Sequence, residues 1–379
     1  MVWLFWSSLA FLVYAFFGYA IFLVTFSWFL GRRHRRAAIL PSVSVIIVAN
    51  NEAARISQKI RNTLDLEYPA ERREIVVVSD GSEDATAEMA RRFAPQGVKL
   101  VEIPERRGKH HGQMVARDAS VGEILIFTDV AIRLQPQALR QMVSNFADPS
   151  VGCVSSEDRI LGEDQAGQAE SAYVRFDAWM RRMESQIGSL VSVSGSFFAA
   201  RREVCELWHS DQSSDFFVPL HTAVKGMRTV LDPDCVGYYT PTASGKSEYP
   251  RKVRTIVHGL DVFFTHLELL NPFRYGLFSW QLLSHKLIRW LVPYAAVCLL
   301  GSNLALWNAS ILYKVSVIAQ LALYGFGLVG LTFRSSARIP PVRVLAFVMM
   351  TNAATLKAWF HYLAGERFVT WNPTLRHEA

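Results

Sequence analysis

Two stretches of the chain are apolar almost without a break, and a long region between them alternates. Residues 1–31 contain no Asp, Glu, Lys or Arg, and residues 290–332 contain only Lys314. A helix needs about 20 apolar residues to cross a bilayer. The first stretch therefore predicts one membrane span, and the C-terminal region predicts about three more, near 287–307, 311–332 and 343–364. The last includes Asn352 and Lys357, which suits a helix lying partly in the interface.

Between the flanks, short apolar runs alternate with helical patterns. "SVSVIIVA" (42–49), "EIVVVS" (74–79), "VKLVEI" (98–103) and "EILIFT" (123–128) read as buried strands. A helix is predicted near 53–64, where Ile56, Ile60 and Leu64 recur every four residues. Ser82 or Asp84 is placed to cap the next one. Alternating strands and helices predict an α/β domain with a mostly parallel sheet and right-handed crossovers, whose ligands bind at the carboxyl ends of the strands. Those ends carry Asn50 to Glu52, Asp80 and Gly81, Glu105 to Lys109, and Asp129.

Charge sharpens the topology. The run "RRHRR" (32–36) follows the first span instead of preceding it. That order predicts an uncleaved anchor with its C-terminal end in the cytoplasm. Arg334, Arg338 and Arg343 put the loop before the last span on the same side. The net charge of +7 gathers at 32–36, 105–111 and 251–254. No nucleic-acid motif accompanies these clusters, so membrane lipid headgroups and a diphosphate are the expected partners. The four cysteines, Cys153, Cys205, Cys235 and Cys298, form no C-x-x-C pair, which excludes a zinc ribbon or disulfide framework and fits a reduced compartment. The expected organisation is an anchor (1–31), a cytoplasmic domain (38–245), an interfacial amphipathic segment (246–286), spans within 287–364 and a tail (365–379) with "WNPTLR". His110 and His111 are read as solvated loop residues, and Trp290 and Trp307 as interface anchors.

Several segments, in order, carry a resemblance: "SVIIVANNEAARI", "EIVVVSDGSEDAT", "RRGKHHGQMVARDASVGEILIFTDV", "SVSGSFFAARREV", "SSDFFVPLHTAVKGMRTV" and "SEYPRKVRTI". Over roughly residues 40–260 the chain resembles family 2 glycosyltransferases. It is most similar to membrane-bound bacterial enzymes of exopolysaccharide synthesis, and more distantly to cellulose, chitin and hyaluronan synthases and ceramide glucosyltransferases. The resemblance implies a Rossmann-like GT-A domain, inversion at the anomeric carbon and a Mg²⁺ or Mn²⁺ cofactor in the cell membrane. The implied reaction moves a sugar from a nucleotide sugar, expected to be a UDP-sugar, to a lipid-linked or growing glycan acceptor. By matching position, Glu52 and Asp80 would contact the nucleoside, and Lys109 the ribose or phosphate. Asp129 would hold the metal and Asp215 would be the general base. Gly195 would lie beside the acceptor, with Arg251 and Arg254 at the acceptor or diphosphate.

The chain departs from that family at three positions. Ala131 stands where the second acid of D-x-D is expected, Met114 where an Asn is expected, and Thr255 where processive members have Trp. Two further readings therefore stay open: a transferase adding one sugar to a membrane lipid, and a non-catalytic nucleotide-sugar-binding subunit working with other polysaccharide-export subunits.

Overall fold

The computed structural model describes residues 1–32, 34–160, 170–210, 212–239, 248–333 and 339–366. Its centre is an eight-stranded sheet: β1 (Val43–Ala49), β2 (Arg73–Asp80), β3 (Val98–Ile103), β4 (Ile124–Thr128), β5 (Ile132–Leu134), β6 (Val151–Ile160), β7 (Phe197–Arg201) and β8 (Arg228–Tyr239), in the order β3-β2-β1-β4-β7-β6-β8-β5. The β1–β2, β2–β3, β1–β4 and β6–β8 pairs are parallel. All seven residues of β1 are buried, as expected of a strand covered on both faces. Val45 and Ile47 pack into the core on one side of the sheet, and Ile46 and Val48 into that on the other. The order in which strands are added reverses between β1 and β4, although the two run parallel, and this opens a crevice at that switch point.

An antiparallel strand enters beside it. β7 pairs with β4 so that Thr128 faces Phe197. The start of β7 thus meets the end of β4, and residues just before Phe197 come to the crevice mouth. Helices α2 (Ala53–Leu64), α3 (Thr86–Arg91), α4 (Lys109–Ala119), α5 (Ala138–Ser144), α6 (Glu170–Ile187) and α7 (Ser214–Val224) surround the sheet.

Three helices are long and apolar enough to cross a membrane: α1 (Val2–Leu30), α9 (Leu277–Ala305) and α10 (Ile311–Thr332). α9 begins about ten residues earlier than the sequence pattern predicts, because "LFSWQLLSHK" continues the helix instead of ending an interfacial segment. The expected third C-terminal span forms a helix, α11 (Pro340–Leu363), but it is not among those three. It carries Arg343, Asn352 and Lys357, and its Ala354 and Ala358 pack on Val253 and Val257 of α8 (Glu248–Thr265). The segment expected to lie in the interface packs on the domain, with Leu260 and Phe263 in the core shared with the sheet. Trp290 is a correction too. It is buried against Phe216 and Phe263, so it packs the span onto the domain and is no interface anchor.

The basic run after α1 docks on the domain. Arg36 pairs with Asp232 and Asp234 at 3.0 and 3.1 Å, and His34 lies 2.6 Å from Asn145 Oδ1. Arg334, Arg338 and the "WNPTLR" tail lie outside the described residues.

Candidate functional site

The first strand ends form a hydrogen-bonded frame. Asn50 Nδ2 donates to the Asp80 carbonyl at 2.7 Å, and the Glu52 amide donates to Thr86 Oγ1 at 2.7 Å. Asp84 accepts from the Thr86 amide at 2.9 Å, but the N-cap of α3 is Ala85, beyond the expected Ser82 or Asp84. The buried Glu52 carboxylate takes Arg55 at 2.7 Å, and burial nonetheless raises its pKa. Asp80 is buried as well. Its two oxygens accept from the amides of Arg107 and Gly108 at 2.8 and 2.7 Å. A carboxylate on two amides is a strong, directional clamp, and it sets the loop that delivers Lys109. Gly81 permits the close approach: its φ is +57°, and a Cβ there would lie 2.3 Å from the Arg106 amide nitrogen.

Lys109, Asp129, Gly195 and Asp215 meet, although 106 residues separate the first from the last. Lys109 Nζ is 2.5 Å from Asp129 Oδ1 and donates to the Gly195 carbonyl at 2.8 Å. A Cβ on Gly195 would sit 3.3 Å from both Cβ and Oδ2 of Asp215. The Asp129 amide donates to the Ser196 carbonyl at 2.9 Å, and the Val193 amide to the Asp215 carbonyl at 2.9 Å. Asp215 lies in the first turn of α7, behind the N-cap Ser213. No hydrogen bond from a described residue reaches its carboxylate, so its oxygens are open to a proton.

Arg251 is exposed and pairs with Glu248 of its own helix at 2.7 Å. Arg254 is half-buried beside His110, and desolvation lowers its pKa. Thr255 is exposed.

Four side chains at the site went unremarked, or were misread, from sequence. Lys59 lies under the Asp129–Ala131 turn, donating to Thr128 Oγ1 at 2.8 Å and to the Ile132 carbonyl at 2.7 Å. Burial pushes its pKa down to about 7, against the pull of Asp129. His110 is no solvated loop residue. Its Nδ1 accepts from the Ser214 amide at 3.2 Å, tying α4 to the residue before Asp215, and burial drives its pKa to about 3. Asp158 accepts from the hydroxyls of Ser194 and Ser196 on either side of Gly195, and desolvation raises its pKa. Lys286 of α9 donates to Ser192 Oγ at 3.1 Å. The serines of "SGS" were the one available signal, because serine side chains flanking a glycine favour a locally hydrogen-bonded loop.

Among the described residues, no group of three or more His, Cys, Asp or Glu gathers as a metal site. Asp129 offers one carboxylate, a third exposed, with Lys109 on one oxygen. Its other oxygen takes no hydrogen bond from a described residue. That donor set fits Mg²⁺ or Mn²⁺ held jointly with phosphates and water, since Mg²⁺ commonly keeps waters and only one or two carboxylates.

These features define an α/β domain with a mostly parallel sheet joined to apolar helices, and a solved structure shares the whole arrangement. The mannosyltransferase from Pyrobaculum calidifontis, solved with GDP-Man and Mn²⁺, superposes with a TM-score of 0.75 at 24% identity, covering 96% of this chain and 100% of that one. The fold is GT-A. Residues 44–208 match the model of Glycosyl transferase family 2, and this segment is a domain of that family. Relatives include the beta-monoglucosyldiacylglycerol synthase of Trichormus variabilis, 24% identical over 272 residues, covering 68% of this chain and 58% of that protein. The poly-beta-1,6-N-acetyl-D-glucosamine synthase of Staphylococcus aureus is 24% identical over 202 residues, covering 51% of this chain and 48% of that protein. The chain thus spans about half the length of these curated relatives.

Proposed function

We propose that the protein is a membrane-bound, inverting glycosyltransferase that moves a sugar from a nucleotide sugar to a hydroxyl of a membrane-held acceptor. The observation that carries this is the meeting of Lys109, Asp129, Gly195 and Asp215 at one crevice mouth. Asp215 takes the proton of the acceptor hydroxyl as its oxygen bonds to the anomeric carbon. The bond to the diphosphate breaks, and the electron pair leaves with the nucleoside diphosphate. Lys109 faces the negative charge that grows on that leaving group, and Arg254 supplies a second cation. Glu52 and Asp80 frame the nucleoside. Mg²⁺ or Mn²⁺ on Asp129 would neutralise the diphosphate.

The donor is a nucleotide sugar. The structural neighbour was solved with GDP-Man, so UDP- and GDP-sugars both belong in the test. For the acceptor, two related chemistries compete: a lipid-linked or growing glycan, and a membrane lipid receiving a single sugar. The exposed Thr255, where processive family members have Trp, favours the single transfer, and one relative is named as a glucosyldiacylglycerol synthase. The domain faces the cytoplasm, with α1, α9 and α10 in the cell membrane.

The test is full-length protein in detergent, supplied with Mg²⁺ or Mn²⁺ and a panel of UDP- and GDP-sugars, with and without diacylglycerol. Release of nucleoside diphosphate is expected for at least one donor. Asp215→Asn should lose about 10²–10⁴ in rate while keeping donor binding. Donor binding without any release, in the wild type, would point to the non-catalytic subunit instead.

A further inference from the structure

Span α9 carries His285, Lys286 and Arg289, and ionisable groups in a span persist where they are paired or functional. Two of them have partners on α6. His285 Nδ1 is 2.6 Å from Glu184, which Tyr19 of α1 also engages, and Arg289 is 3.3 Å from Asp177. Lys286 reaches past α6 toward the crevice. Its ammonium donates to Ser192 Oγ at 3.1 Å, lies 4.7 Å from the centre of the Phe216 ring, and interacts electrostatically with Asp215, Asp177 and Glu184. Ser192 lies three residues before Gly195, and Phe216 follows Asp215. Lys286 thus touches the strand-side loop and the helix turn on either side of the proposed base.

The same span holds that loop at its other end. Gln281 Oε1 accepts from the Ser189 amide at 3.4 Å, and its Nε2 donates to the Glu184 carbonyl at 3.3 Å. A Cβ on Gly188 would sit 2.6 Å from Gln281 Oε1, so the loop lies directly against the span. α9 also departs from α-helical winding over Leu283–Ile288, where one π-turn carries His285 and Lys286. Such turns interrupt α-helices frequently at sites of function. Lys286 makes a poor anion receptor, since Asp215, Asp177 and Glu184 already act on it electrostatically.

We propose that Lys286 is a positioning residue, by which the membrane span holds Asp215 and the 188–196 loop in their working arrangement. The active centre is then completed by α9 and is not a property of the sheet domain alone. The inference rests on Asp215 as the base.

The experiment uses the full chain in nanodiscs and the donor found by the panel, with wild type, Lys286→Met, Lys286→Arg, Asp215→Asn and the double variant Asp215→Asn/Lys286→Met. Lys286→Met should lower kcat about ten- to hundredfold, leave affinity for the donor's nucleoside diphosphate unchanged, and add nothing in the Asp215→Asn background. Lys286→Arg should restore most of the rate. If Lys286→Met fails to fold, Ser192→Ala reads the same tether, with kcat expected to fall at unchanged diphosphate affinity. Wild-type kcat in whichever of these two variants folds overturns the inference. So does a loss in the double variant equal to the product of the single losses, or a loss in Lys286→Met that Arg does not restore. Asp215→Asn at full activity refutes the base assignment, and that outcome is read separately from the Lys286 variants.

Discussion

Lys59 allows a prediction whose size follows from its surroundings. The side chain is 3% exposed, and its ammonium answers to two neutral oxygens and, at longer range, to Asp129. Burial lowers its pKa from 10.5 to about 7. In the unfolded chain it stays protonated until pH nears 10.5, so between those values the unfolded state holds one more proton than the folded one. Stability therefore rises with pH across that window, by about 1.4 kcal/mol per unit. The burial cost is fully present below pH 7 and fades as pH approaches the unfolded value. Lys59→Met keeps the aliphatic stem and removes the proton. From pH 7.5 to 9.5 the wild type should gain about 2–3 kcal/mol relative to Lys59→Met. Denaturant unfolding of both proteins, side by side in detergent at five pH values, measures the difference while every other titrating group cancels. Parallel curves across that range would show that Lys59 is not a desolvated ammonium and that the support assigned to the Asp129–Ala131 turn is wrong.

Other outcomes can be checked independently. Gly81→Ala forces a Cβ against the Arg106 amide at positive φ, and should lower the melting temperature and weaken donor binding; an unchanged melting temperature counts against that loop geometry. Asp129→Ala should abolish metal-dependent diphosphate release, whereas Ala131→Asp should tighten Mn²⁺ binding measured by calorimetry without donor. Chelator-insensitive, full-rate Asp129→Ala would reduce Asp129 to a strand-end residue. Gly195→Ala places a methyl 3.3 Å from the Asp215 carboxylate, and should cut kcat more than it weakens donor binding. Arg35→Cys, in a background without Cys298, should resist a membrane-impermeant thiol reagent in intact cells; labelling from outside would reverse the proposed orientation.

The alternation of apolar runs was enough to predict the parallel strands, because a strand buried on both faces must be apolar throughout. Parallel strands point their carboxyl ends the same way, so Asp80 and Asp129 were legible as neighbours at one crevice before any coordinates. Composition likewise revealed α1 and α10, since few soluble helices avoid charge for so long. The insertion of β7 against β4 was not legible. Antiparallel entry depends on which edge is free once the first four strands pair, and only that entry brings Gly195 to Asp129 and Lys109. The extent of α9 and the burial of Trp290 escaped for a related reason: one amphipathic stretch suits both a membrane interface and a core. Lys59, Asp158 and Lys286 carry no distinguishing mark in the sequence, and His110 reads there as a solvated loop residue. Their partners lie between 36 and 104 residues away. A charged side chain becomes a buried support only when distant segments supply the atoms that replace water, and tertiary packing alone decides which segments those are.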